Sequence, residues 1–193
     1  MRTDWRMVVC VLALGLISTA GHADEVMVAD FDAGTKPNNI GGDFGAWDKD
    51  ANDTTQFCYD SMISEGTWAG SPFSLKLDYD VDSPNPAYNG FWSKLSGIDV
   101  TKYKYITFYV KGDRASGFTN QFKVELKNGT EVGNYLVKGI TDEWKKVSIP
   151  LNKVDGITYW TSMQEFVVVF DDINASNKVG TIYLDNIAFS SEK

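Results

Sequence analysis

The sequence predicts an all-β sandwich, and two observations carry that prediction. Nearly every apolar stretch after Asp24 alternates with a period of two, and none keeps a helical period over the length of a globular helix. Turn signals such as SPNP, KNGT and SNKVG divide these stretches at the short spacing of a sandwich.

The elements follow in chain order. Residues 1–23 read as a cleaved secretory signal: Arg2 and Arg6 precede the apolar run Met7 to Ile17, and the small residues of STAGHA precede Asp24. That run is too short for a membrane span, which needs roughly 20 residues. A secreted or periplasmic protein is therefore expected, with residues 24–193 forming one domain. Val26 to Phe31 opens that domain as a strand, and Asp30 and Asp32, flanking Phe31, would place both carboxylates on one side of it. A stretch rich in Gly, Asn and Asp then runs to Trp47, with Asn38, Asn39, Gly41, Gly42 and Gly45 allowing an irregular path.

Gln56 to Asp60 is the next strand, followed by SLKLDYDV, where Leu75, Leu77, Tyr79 and Val81 share one face and Lys76, Asp78 and Asp80 the other. Gly90 to Leu95 and Tyr103 to Lys111 follow, the second with Phe108 as core and with Tyr105 and Tyr109 as a stripe that either lies exposed or covers a sheet face. In FKVELK, Phe122, Val124 and Leu126 oppose Lys123, Glu125 and Lys127. Asn134 to Lys138, Trp144 to Ile149 with Trp144 as core, Glu165 to Phe170 and Thr181 to Phe189 complete about ten strands.

Composition narrows the chemistry. His22 is the sole histidine and precedes Asp24 together with Cys10, so the domain keeps Cys58 as a lone thiol. Its residues supply no disulfide, no histidine-based triad and no histidine or multi-cysteine metal site. The net charge of −8 disfavours nucleic acid, which demands clustered Lys and Arg.

Aromatics make up 13% of the chain. Many such rings fill sandwich cores, but Trp47, Tyr88, Trp92, Tyr159 and Trp160 stand beside Gly, Asn, Asp or Thr where loops meet strands. A ring next to carboxylates and amides suits a sugar, stacking on its C–H face while polar groups satisfy its hydroxyls.

The segments ADFDAG…FGAW, SLKLDYD…NGFWSKL, YITFYVKGD, EWKKVSIPL and MQEFVVVFDDINASNKVGTIYLDNIAF resemble, in order and spacing, family 11 carbohydrate-binding modules. The resemblance implies a two-sheet antiparallel jelly-roll β-sandwich of the galactose-binding-like type, non-catalytic, with a concave cleft for a β-glucan polysaccharide. The family's cleft tyrosines fall on Trp47, Phe91, Phe170 and, with a shifted loop, Tyr159; its polar cleft residues fall near Asp155, Gln164 and Glu165, and Lys153 stands where the family has an arginine. Phe at two of these positions keeps a stacking face without the hydroxyl, and Lys lacks the planar fork of Arg. The resemblance also implies a structural calcium ion between an acidic residue of the first strand, Asp30 or Asp32, and Asp185 of the last; calcium suits carboxylates and backbone carbonyls. Asp171 and Asp172 are a second acidic pair.

Two other readings stay open. The chain is more loosely similar to the intermediate-associated protein domain of complex I assembly, which implies a protein partner. A carboxylate pair, Asp78 with Asp80 or Asp155 with Glu165, is also the minimum for glycoside hydrolysis.

Overall fold

The computed structural model describes residues 24–193, so the expected leader lies outside the described residues. The strands are β1 (Glu25–Ala29), β2 (Phe44–Asp48), β3 (Phe57–Ile63), β4 (Ser74–Asp80), β5 (Tyr88–Ile98), β6 (Tyr105–Gly112), β7 (Gln121–Lys127), β8 (Val132–Lys138), β9 (Lys145–Pro150), β10 (Met163–Asp171) and β11 (Val179–Ser190). A single 3-10 turn, Leu151–Lys153, follows β9. All pairings are antiparallel. A back sheet runs β3-β4-β11-β6-β9 with β1 also on β11, and a front sheet runs β2-β5-β10-β7-β8.

Alternation places the core between them. From the back sheet come Leu75, Leu77, Tyr79, Phe108, Ile182 and Leu184; from the front sheet come Phe91, Phe122, Leu126, Phe166 and Phe170, all essentially inaccessible. Tyr79 stacks on Phe170 at 4.0 Å, and its hydroxyl donates to the Asn177 carbonyl and accepts from the Thr119 amide, so the one polar atom of that pair is satisfied.

Three local expectations change. Trp47 does not end a loop: Phe44–Asp48 is a strand, paired to β5 with Trp47 opposite Gly90. The loop before it folds around Asn38, a buried side chain that donates to Ser93 Oγ and the Lys94 carbonyl and accepts from the Ile40 and Gly42 amides. Gly42 is required there, because a Cβ would run into the Lys94 carbonyl. The second change is at Asp30–Asp32, which is not strand. β1 ends at Ala29, and Phe31 adopts φ 59° to bury its ring against Phe44 and Phe91, which breaks the shared face of the two carboxylates. The third is Trp144, which lies half-buried on the outer face of the back sheet.

The two sheets meet along one side at their edge strands, β2 and β3. Ala46 of β2 donates its amide to the Asp60 carboxylate at 2.9 Å, and Cys58 of β3 donates to Asp48 at 2.6 Å. Each free edge thus has an amide taken by a side chain from the other sheet.

Candidate functional site

The outer face of the front sheet carries a depression of about 800 Å³. Register sets its floor. One row across the sheet reads Trp47, Gly90, Val169, Lys123, and the next reads Gly45, Trp92, Val167, Glu125. Lys94, Glu165 and Lys127 form a third row at one end, while Tyr88 and Asp171 pair at the other. Tyr88 and Trp92 sit two residues to either side of Gly90, so three rings surround a position without a side chain. Gly90 has no alternative, since a Cβ there would meet the Val168 carbonyl.

The cleft therefore has an aromatic end and a charged end. Trp47 lies 5.9 Å from Tyr88, ring to ring, and its indole N–H is buried without an acceptor. The Lys94 ammonium stands 5.3 Å from the Trp92 ring, a cation–π contact. At the charged end Glu165 pairs with Lys94 and, at 3.5 Å, with Lys127, which also lies 3.8 Å from Glu125. Burial opposes the charge on Glu165, but the two ammoniums outweigh it and hold the carboxyl below its ordinary range. Asp171 is similar: desolvation is outweighed by hydrogen bonds from Asn174 and by Lys123 at 3.2 Å. Carboxylates held ionised in this way are poor general acids, which need a raised pKa.

The structure gathers Trp47, Tyr88, Trp92 and Glu165 of the expected site, but not the rest. Phe91 and Phe170 are corrected: both rings are in the core, 0% and 1% exposed. On β5 the inward set is Asn89, Phe91, Ser93 and Leu95, so Trp92 faces the cleft, and a one-residue change of parity moves every side chain to the other face. Lys153 ends the 3-10 turn in solvent. Asp155 lies outside the cleft lining, its backbone bridging to Asn134 at the edge of β8. Tyr159 is 71% exposed on a loop fastened by Glu131, which accepts from the Thr158 and Tyr159 amides. Trp160 lines a separate groove of about 390 Å³ with Tyr103 and Tyr105, and Gln164 is turned onto Ser162. The Lys123, Glu125 and Lys127 face of β7 and the Val167 and Val169 face of β10 were missed. Their alternation was visible, but only the strand order shows that it floors a cleft.

Of the hydrolytic pairs, Asp78 and Asp80 share the outer face of β4, away from the cleft, and only the second pair is split. Asp78 accepts from Lys76 and Thr181 on the back sheet, and Asp155 is apart from Glu165.

Of the acidic set, Asp30 is committed to its own loop, accepting from the Asp32 amide and Asn39 Nδ2. Asp185 is fully buried on the outer face of β11, accepting from Ser74 Oγ at 2.5 Å and the Asn186 amide at 2.8 Å. Its cover is the β3–β4 connection, whose Trp68 stacks at 3.8 Å on Tyr109, the β6 neighbour of Asp185. Burial foremost, with a contribution from the Asp32 charge, pushes Asp185 up to about 6 against the opposing pull of Ser74 and Asn186. Among the described residues no three His, Cys, Asp or Glu side chains assemble around one point. A hard cation at this place would draw on Asp32 and Asp185, a like-charged pair, with backbone carbonyls completing its shell.

Comparison with known proteins gives the site its context. The fold is shared with the family 11 carbohydrate-binding module of Clostridium thermocellum in complex with a β-1,3-1,4-mixed-linked tetrasaccharide, at 18% identity and TM-score 0.62, over 86% of this chain and 94% of that one. A Caldicellulosiruptor saccharolyticus family 27 module in complex with mannohexaose matches at 19% identity and TM-score 0.57, over 88% and 98%. The xylan-binding CBM22-1 domain from Paenibacillus barcinonensis matches at 15% and 0.51, over 87% and 96%. No curated protein sequence matches this chain. The resemblance to family 11 in the sequence thus stands as a likeness of fold, and the model of a carbohydrate-binding family matches the chain itself. That model, carbohydrate binding domain 30, spans residues 38–191, and the chain belongs to this family.

Proposed function

We propose that the protein is a non-catalytic, exported module that holds a single chain of a neutral polysaccharide, of the β-glucan type, in the front-sheet cleft. The observation that carries this reading is the open floor of three rings around Gly90, continued by charged side chains that are already paired with one another. Rings offer flat apolar surface to the C–H face of a sugar, and fixed Lys, Glu and Asp groups offer donors and acceptors to its hydroxyls. The paired lysines are less available to an anionic polymer, which favours an uncharged one. The mixed-linkage tetrasaccharide of the family 11 relative supports β-glucan in particular.

Calcium is a further part of the proposal: an ion held by Asp32 and Asp185 would neutralise two neighbouring carboxylates and stiffen the loops over the back sheet. Calorimetric titration against β-glucans, xyloglucan, mannan and galactan, with and without a chelator, tests both parts. Binding to a β-glucan at micromolar to sub-millimolar affinity is expected, and silence across the panel from folded protein would favour the protein-partner reading. A melting temperature that a chelator leaves unchanged would remove the metal.

A further inference from the structure

One residue of the cleft is anomalous for a soluble domain. Ile173, the second residue after the end of β10, is 88% exposed, yet it lines the same cleft as Pro86 and Tyr88. Single exposed apolar side chains are common. This one differs because the backbone carrying it is fixed by a buried charge. Asp171, 7% exposed, accepts from the Ile173 amide at 3.1 Å and the Asn174 amide at 2.8 Å, and from Asn174 Nδ2. Its other oxygen faces Lys123 Nζ at 3.2 Å, on the cleft floor. The next residue, Asp172, exchanges hydrogen bonds with Ala87, accepting the Ala87 amide at 3.2 Å and donating its own amide to the Ala87 carbonyl at 3.1 Å. Gln121 Nε2 fixes the carbonyl of Asn174 at 2.7 Å. A turn held at this many points presents an isoleucine whose side chain is almost wholly in solvent.

We infer that residues 172–174 form a binding lip: Ile173 closes over the apolar face of the sugar unit seated against Trp47 and Tyr88, and Asp171 is the positioning residue that holds it there. The inference rests on the cleft reading above and deepens it, because it gives the aromatic end a wall as well as a floor. An apolar wall opposite a ring suits a hexose whose hydroxyls lie in the plane of the sugar and leave both faces as C–H surface. Holding the wall in advance avoids ordering it on binding, the usual cost of a loop contact. Lys123 ties the lip to the floor, so the two surfaces keep one spacing.

The test is titration of mixed-linkage β-glucan, xyloglucan and mannan into the wild type and into Ile173→Ser, Asp171→Ala, Asp171→Asn and Trp92→Ala. Ile173→Ser should weaken binding three- to tenfold with an unchanged melting temperature, since the side chain is in solvent. Asp171→Ala should weaken it at least as much, and adding Ile173→Ser to it should cost little more, because the two act through one contact. Asp171→Asn, which keeps an acceptor for the two amides, should restore most of the affinity. An Asp171 that served stability alone would lower the melting temperature and leave the Ile173→Ser effect at full size in its background. If Ile173→Ser binds as the wild type does while Trp92→Ala does not, the lip is overturned and the cleft stands. A wild type silent on all three glycans removes both.

Discussion

The two outer faces of this sandwich carry similar side chains and meet opposite fates. On the back sheet, Tyr109 is covered by Trp68, Trp144 donates its indole N–H to the Gly66 carbonyl, and Lys111 lies within about 5 Å of both the Trp144 and Tyr183 rings. On the front sheet, Trp47, Tyr88 and Trp92 surround Gly90 and line an open depression. The difference is the β3–β4 connection, long enough to bring Trp68 back across the sheet. Aromatic content alone does not make a binding face; a face stays open only where no loop closes it.

Substitutions can break that contrast. The largest effect is expected from Trp68→Ala, which uncovers Tyr109. It should cost about 3 kcal/mol in denaturant unfolding, in the range for removing a large packed ring, and leave glycan affinity unchanged. Trp92→Ala should do the reverse, weakening binding by about 2 kcal/mol, roughly thirtyfold, with little loss of stability. Equal stability losses from the two would erase the distinction between cover and platform.

Acidity separates the faces as well. Asp185 in the folded protein keeps its proton up to about pH 6, whereas the unfolded chain releases it near 4. The folded state then binds the extra proton between those values, so in the presence of a chelator this group should make stability fall as pH rises from 4 to 6. Asp185→Asn should flatten that window. Glu165 and Asp171 are shifted the other way, so their contribution is present above about pH 4 and is lost as pH falls through their lowered values. Unfolding curves across pH 3 to 7 would show the two slopes. The smallest effect is expected of Glu165→Gln: a partly exposed carboxylate with two lysine partners should change stability by less than about 1 kcal/mol. Its effect on affinity should be a few-fold, which titration would read.

Period-two alternation in the sequence was enough to locate ten of the eleven strands and their inward residues, as in Leu75, Leu77 and Tyr79. β2 escaped because Phe44–Asp48 follows a Gly-rich stretch and contains a glycine itself. The site was legible in part. Trp47, Tyr88 and Trp92 stand out by residue type and Glu165 through the family resemblance, which also points to Phe91 and Phe170, because resemblance to a family carries residue type more reliably than strand parity. Lys123, Glu125 and Lys127 looked like any solvated face of a strand, and only tertiary pairing beside β10 turns them into a floor. Trp144 has an inward-looking sequence context, yet it lies just before β9, where strand parity no longer fixes which way it points.

The reciprocal carboxylates at Asp48 and Asp60 bear on how such a protein behaves in a crowd. Many copies gathered along one polymer chain would be held side by side at high local concentration, where bare strand edges can zip together into aggregates. With the Ala46 and Cys58 amides already occupied by the opposite sheet, this border offers a neighbouring copy a broken ladder and two negative charges. Dense coating of a polymer and freedom from clumping are thereby compatible along this border.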